Sequence, residues 1–196
     1  MARHSSKTTG PACRLPTGAC GTIIVVTNGT NLGPTGGAVW SQPSEWAARR
    51  TPEGCVICSS DGPLDVIAEF ETAWATAAHD APLPGYVCVV ARGHYNEPFE
   101  MPADEQASFW RDVMAIAAAV NEVVQPIKMN YEIHGNTLPH LHVHLFPRQP
   151  DDPFVGGPID PRRASFVRSD DELGELTRAI RNARPDTRAS TRPPDG

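Results

Sequence analysis

Between positions 140 and 146 the chain reads His140-Leu141-His142-Val143-His144-Leu145-Phe146, three imidazoles alternating with apolar side chains. In an extended strand successive side chains point to opposite faces, so the three histidines are expected on one face, about 6.6 Å apart, with Leu141, Val143 and Leu145 turned to a core. Imidazole is the side chain whose ordinary pKa lies near neutrality. A neutral ring held by a neighbour can attack an electrophile, and a charged one binds anions; burial and mutual repulsion keep at least one ring neutral. Such a face is read as a site. Of the seven histidines, four fall between 134 and 144, whereas His4 and His79 stand alone and are expected to be ordinary surface or hydrogen-bonded residues.

A second constellation is Cys55-Val56-Ile57-Cys58; the other three cysteines, Cys13, Cys20 and Cys88, are isolated. In a protein that is not exported, a C-x-x-C pair reads as a metal clip or a redox pair sooner than as a structural disulfide.

These residues need a scaffold. Residues 103–124 carry Phe109, Val113, Ile116, Val120 and Val123 at helical spacing, with Asp104 and Glu105 in the first turn and Pro126 beyond the end, which predicts a helix. Residues 66–78 favour extended structure with a hairpin at Glu69–Thr72, and Tyr86–Val90 is a β-branched run after Pro82, Pro84 and Gly85. Two further strands, Lys128–His134 and His140–Phe146, flank the loop Gly135-Asn136-Thr137-Leu138-Pro139. A short helix is expected from an N-cap at Ser44 to near Gly54, and another on Leu173, Leu176 and Ile180 behind the capping box Ser169-Asp170-Asp171-Glu172. Hairpin-length links between such elements predict an α+β domain: an antiparallel sheet of about five strands with two main helices. The expected organisation is a flexible extension over residues 1–43, a domain over 44–182 with a C-terminal helix, and a disordered tail over 183–196.

The run Met129 to Arg148 closely resembles the histidine-triad (HIT) family of nucleotide hydrolases and transferases, whose signature His-φ-His-φ-His-φ-φ is met at every position from His140 to Phe146. Element order fits from about Cys55 to Arg148. The resemblance implies that the middle histidine, His142, attacks the α-phosphorus of a nucleotide to give a nucleotidyl-histidine that water or another acceptor resolves. A backbone carbonyl from the adjacent strand would orient its ring. By the same resemblance His144 contacts the phosphate and stabilises charge there; Asn136 and Thr137 match the Gln and Ser or Thr that hold α-phosphate oxygens, Gly135 lets the backbone approach, and Asn130 matches a further polar position. Zinc-bearing members and the related hexose-phosphate uridylyltransferases imply a structural zinc on Cys55, Cys58, His94 and His140, a closed tetrahedral set. Two positions depart from the pattern: Tyr86 stands where many members have histidine, and Asn136 is shorter than the usual Gln.

The expected function is therefore hydrolysis at the α-phosphate of a nucleotide conjugate: a phosphoramidate, a dinucleoside polyphosphate or an adenylylated small molecule. The alternatives are a nucleotidyltransferase or phosphorylase, and a regulatory module that binds nucleotides without turnover. The expected partners are a purine nucleotide and a second copy of the chain, since family members are commonly homodimers and Phe109 and Trp110 widen the apolar face of helix 103–124.

Composition sets the outer bounds. The chain has 196 residues and a net charge of −6, with 20 Pro and 16 Gly, more than a compact domain usually carries. Residues 55–150 hold four basic against twelve acidic residues, too few cations for the basic groove of a nucleic-acid binder. No apolar run approaches the roughly 18 residues that cross a bilayer, and Ile23–Val26 is too short for a secretory segment. A cytoplasmic protein that touches neither membrane nor nucleic-acid polymer is expected.

Overall fold

The computed structural model describes residues 39–154, 156, 158–159 and 166–184. Most of the expected extension, most of the expected tail and the lone Cys13 and Cys20 lie outside the described residues. A 3-10 turn, Val39–Ser41, precedes helix α1 (Pro43–Arg49) and the one-turn helix α2 (Val56–Ser59). Then come β1 (Val66–Glu69), β2 (Ala73–Thr76), β3 (Asp80–Ala81) and β4 (Val87–Ala91), a 3-10 turn at Pro98–Glu100, and the long helix α3 (Ala103–Val124). Strands β5 (Lys128–Glu132), β6 (His142–Arg148) and β7 (Phe166–Val167) and helix α4 (Asp170–Asn182) complete the order.

Five strands form one antiparallel sheet in the order β1-β2-β4-β6-β5, and β3 pairs with β7 in a two-stranded sheet. The α+β expectation holds. The hairpin falls at Phe70–Thr72, where Phe70 N–H donates to Ala73 O at 2.8 Å. Alternation decides what each face does. Ala73, Ala75, Val87, Val89, Val143 and Leu145 point to one side, where Phe109, Val113, Ile116 and Val120 of α3 cover them, and Leu141 joins this core from just before β6. Burying a side chain of this size is worth about 1.5–3 kcal/mol, so this apolar face is what holds the sheet against α3. The opposite face carries Cys88, Val90 and Phe146 beside Cys55 and Ile57, and the histidines lie among them.

Helix α3 occupies the predicted residues, and Gln125 ends it in the left-handed region at φ 49° ahead of Pro126. Buried Asp112 ties it to the hairpin, accepting Thr72 N–H at 3.0 Å and Thr72 Oγ1–H at 2.7 Å. Three local expectations change. Helix α1 starts at Pro43 with Gln42 as N-cap and ends at Arg49, because proline's fixed φ suits the first helical position. β6 begins at His142, so His140 lies just outside the strand. The capping box is only half formed: Ser169 Oγ accepts Glu172 N–H, while the Glu172 carboxylate reaches away to accept Gly85 N–H at 3.0 Å. Gly85 has φ +73° and sits where a Cβ would come within 2.4 Å of Val124 Cγ2, so only glycine fits.

Candidate functional site

Strand pairing assembles the site. Val90 is opposite His142, Cys88 opposite His144, and Glu132 of β5 lies opposite His144 from the other side. Directly paired residues point to the same face, so the even-numbered residues of β5 and β6 converge. His142 and His144 are 3% and 1% exposed, with ring centroids 4.9 Å apart at right angles.

The expected row of three rings is split. His140 precedes the strand, and its ring turns toward the N-terminal segment: Nδ1 is 3.3 Å from Cys55 Sγ and 3.7 Å from Cys58 Sγ. His94 brings Nδ1 to 3.3 Å from Cys58 Sγ. The ligand atoms of Cys55, Cys58, His94 and His140 all lie within 4.8 Å of one another, so these four residues could hold a metal ion. The donor set fits. A tetrahedral ion at ordinary sulfur and imidazole distances gives S···N edges of about 3.6 Å. Both histidines also donate Nε2–H to a carbonyl, His140 to Ala91 O at 2.8 Å and His94 to Arg50 O at 2.9 Å, which leaves both Nδ1 lone pairs facing the sulfurs. Burial pushes His140 down to about 4, keeping it the neutral ring that ligation requires. Burial and the neighbouring Cys55 push the Cys58 thiol up to about 11. A cation reverses that preference, because a ligating thiol is deprotonated.

His142 is oriented by a carbonyl, as expected, although from an unexpected place. Its Nδ1–H donates to His140 O at 2.6 Å, two residues back along the same chain and not on the adjacent strand. A carbonyl only accepts, so Nδ1 bears the hydrogen and Nε2 keeps the lone pair. Burial, and then the charge of His134, hold His142 below the ordinary imidazole value despite the opposing pull of the His140 carbonyl. The ring is a neutral base with one nitrogen available.

Tyr86 finds a role that the sequence comparison left open. Its hydroxyl is 2.7 Å from His144 Nδ1, and its ring stacks on Phe146. Burial holds the phenol well above its usual value and His144 well below its own. Both groups are neutral, and an O–H that donates to Nδ1 puts the ring hydrogen on Nε2. That Nε2 is buried without a partner among the described residues. An unpaired buried donor costs about 1–3 kcal/mol, and a polar guest would relieve it. Tyr86→Phe is expected to shift His144 toward the Nδ1–H tautomer, read from two-bond 1H–15N correlation spectra. An unchanged pattern would show that the phenol does not set it.

The remaining candidates scatter. Asn136 is exposed at the tip of the loop, and Thr137 is half-buried with its carbonyl 3.4 Å from Arg49 Nη1. Gly135 needs to be glycine for its φ of +63°; a Cβ there would meet nothing nearer than Leu138 O at 4.0 Å. Asn130 faces the site from β5, opposite Phe146, and lines a cavity with Glu132 and His134. Sequence reasoning passed over His134, Glu132 and Arg49. For the first two, a spacing of two at the end of the strand that leads toward the triad was the available signal.

A HIT domain family model matches residues 60–151. An uncharacterised HIT-like protein of Methanocaldococcus jannaschii is 26% identical over 102 residues, covering 50% of this chain and 79% of that protein. A histidine triad protein from Bradyrhizobium japonicum superposes with a TM-score of 0.55 at 22% identity, over 60% of this chain and 88% of the other. A histidine triad (HIT) protein from Sinorhizobium meliloti gives 0.53 at 21%, over 60% and 87%. Both structures share the fold. Triad, strand order and family match together identify residues 60–151 of this chain as a HIT domain.

Proposed function

We propose that the protein hydrolyses nucleotide conjugates at the α-phosphate through a nucleotidyl-histidine intermediate on His142. HIT-domain membership suggests nucleotide binding and hydrolase chemistry in general. The observation that carries the finer reading is the Nδ1–H bond from His142 to the His140 carbonyl, which leaves a neutral ring with its Nε2 lone pair for attack. In the first half-reaction Nε2 forms a bond to phosphorus as the bond to the leaving group breaks. In the second, water displaces the histidine. His144 Nε2, buried with no partner among the described residues, is the atom we assign as donor to a phosphate oxygen. Asn130, Gly135, Asn136 and Thr137 are proposed as further contacts to the substrate, a purine nucleotide or its conjugate.

We also propose zinc as the ion on Cys55, Cys58, His94 and His140. With two thiolates and two imidazoles the set is closed, so zinc there supplies cross-linking and no reaction step. It fastens the segment around Cys55 to the strand that carries the nucleophile. Residues 44–182 are taken as the folding unit and a twofold homodimer as the assembly. No helix among the described residues is long and apolar enough to cross a membrane.

The test is a panel of nucleotide conjugates incubated in 18O-labelled water and read by mass spectrometry. A nucleoside monophosphate carrying one heavy oxygen supports hydrolysis. Label-free product that carries added phosphate assigns a phosphorylase instead, and binding without turnover assigns a regulatory module.

A further inference from the structure

A histidine with its own carboxylate stands beside the triad and has no part in the nucleophile, the phosphate contacts or the metal cluster. Strand β5 ends at Glu132, and the chain beyond it brings His134 back so that Nε2 lies 2.8 Å from Glu132 Oε2. The His134 ring centroid is 5.8 Å from that of His144, the ring whose centroid lies 4.9 Å from that of His142. Glu132 is held in place twice over, because its Oε1 also accepts Ile159 N–H at 3.2 Å. With Asn130 and Arg148 the pair lines an open cavity of about 520 Å³, within the usual range for a small-molecule site. Arg148 does not compete for Glu132, since Asp152 takes its Nε at 2.6 Å and its Nη2 at 2.9 Å.

A purely stabilising role explains little of this. The His134 and Glu132 side chains are 29% and 12% exposed, and ion pairs so near the surface are worth about 0–1 kcal/mol. A carboxylate on Nε2 does something else: it fixes the ring and leaves Nδ1 as the position that can pass a proton to a guest. We propose that Glu132 and His134 form the acid–base pair that serves a leaving group seated in this cavity, a proposal that rests on the nucleotidyl-transfer reading above.

The step balances as follows. His142 Nε2 donates its lone pair to phosphorus, the bond from phosphorus to the leaving nitrogen or oxygen breaks, and its electron pair departs with that atom. The departing atom takes the proton from His134 Nδ1, and the imidazolium becomes neutral. In the second half-reaction neutral His134 removes a proton from the attacking water as the N–P bond breaks, and the imidazolium is restored. The net change is addition of water across the original bond. A general acid matters most where the leaving atom is basic, so the substrate class assigned here is nucleotide conjugates that release an alkylamine or alkoxide.

Leaving-group dependence tests the assignment with the full chain. Wild type, His134→Asn and Glu132→Gln are compared on an adenosine 5′-phosphoramidate of an alkylamine and on adenosine 5′-(4-nitrophenyl) phosphate, whose leaving group needs no proton. On the amidate kcat/KM is expected to fall about 100-fold or more in His134→Asn, against about tenfold or less on the nitrophenyl ester. Glu132→Gln is expected to show the same bias, more weakly. Equal losses on both substrates, or no loss on either, would overturn the pair's role. If wild type turns over neither substrate, or α-label accumulates on a residue other than His142, the nucleotidyl-transfer reading has failed and the proposal falls with it; a labelled His142 with unbiased variants sinks the pair alone.

Discussion

Replacing His142 with asparagine is expected to abolish turnover while nucleotide affinity stays within about threefold of wild type, because a covalent nucleophile acts on the transition state and adds little to ground-state binding. The structure supplies the reason for singling out this ring. Of the two histidines on the strand, His144 has its Nδ1 engaged by the Tyr86 hydroxyl, and with that hydroxyl donating, its Nε2 carries the hydrogen and offers no lone pair. His142 has its hydrogen on Nδ1, fixed by the His140 carbonyl, and its lone pair on Nε2. His144→Ala is expected to slow the reaction without stopping it. Rapid quench of the wild type with an α-labelled nucleotide should trap an acid-labile, base-stable adduct, mapped to His142 by peptide mass spectrometry. Wild-type turnover in His142→Asn, or label on another residue, would falsify this assignment while leaving the fold untouched.

Cys58→Ser is expected to lose the bound metal and about 4 kcal/mol or more of stability, since loss of a structural metal belongs with the largest single-residue effects. In a domain of this size that corresponds to a fall in melting temperature on the order of 10 °C. Elemental analysis of the wild type should give one zinc per chain. The variant probes coupling as well as stability. His140 contributes its ring to the Cys55–Cys58–His94 cluster and its carbonyl to His142, so loosening the cluster frees the group that orients His142. Turnover should therefore fall along with metal content, and restoring zinc to chelated wild type should restore both. A Cys58→Ser protein that keeps its full complement of zinc would rule out this ligand set.

Much of this protein was legible in its residues alone, for one physical reason: helix and strand periodicities are local. Phe109, Val113, Ile116 and Val120 recur at helical spacing ahead of Pro126, and α3 runs over the predicted residues. The alternation through Val143 and Leu145 put the apolar side chains against α3 and His142 and His144 on the other face. The signature itself needed no structure to be seen, because it occupies seven consecutive positions.

What depends on contacts between distant segments only the tertiary structure decided. Spacing put His140 in one row with the other two and the family resemblance set it with Cys55 and Cys58, but it is packing at the start of β6 that turns its ring to sulfurs 82 and 85 residues away in sequence. Glu172 looked like half of a capping box, until the left-handed turn at Gly85 offered its carboxylate an N–H at 3.0 Å. Tyr86 was a mere departure from a pattern until β4 paired with β6 and set its hydroxyl on His144 Nδ1. Even Glu132 and His134, two residues apart, acquired their place beside the triad from the register of β5 on β6. Periodicity decides which face a side chain takes, whereas the partner it meets there is set by register and by the packing of segments that no local pattern describes.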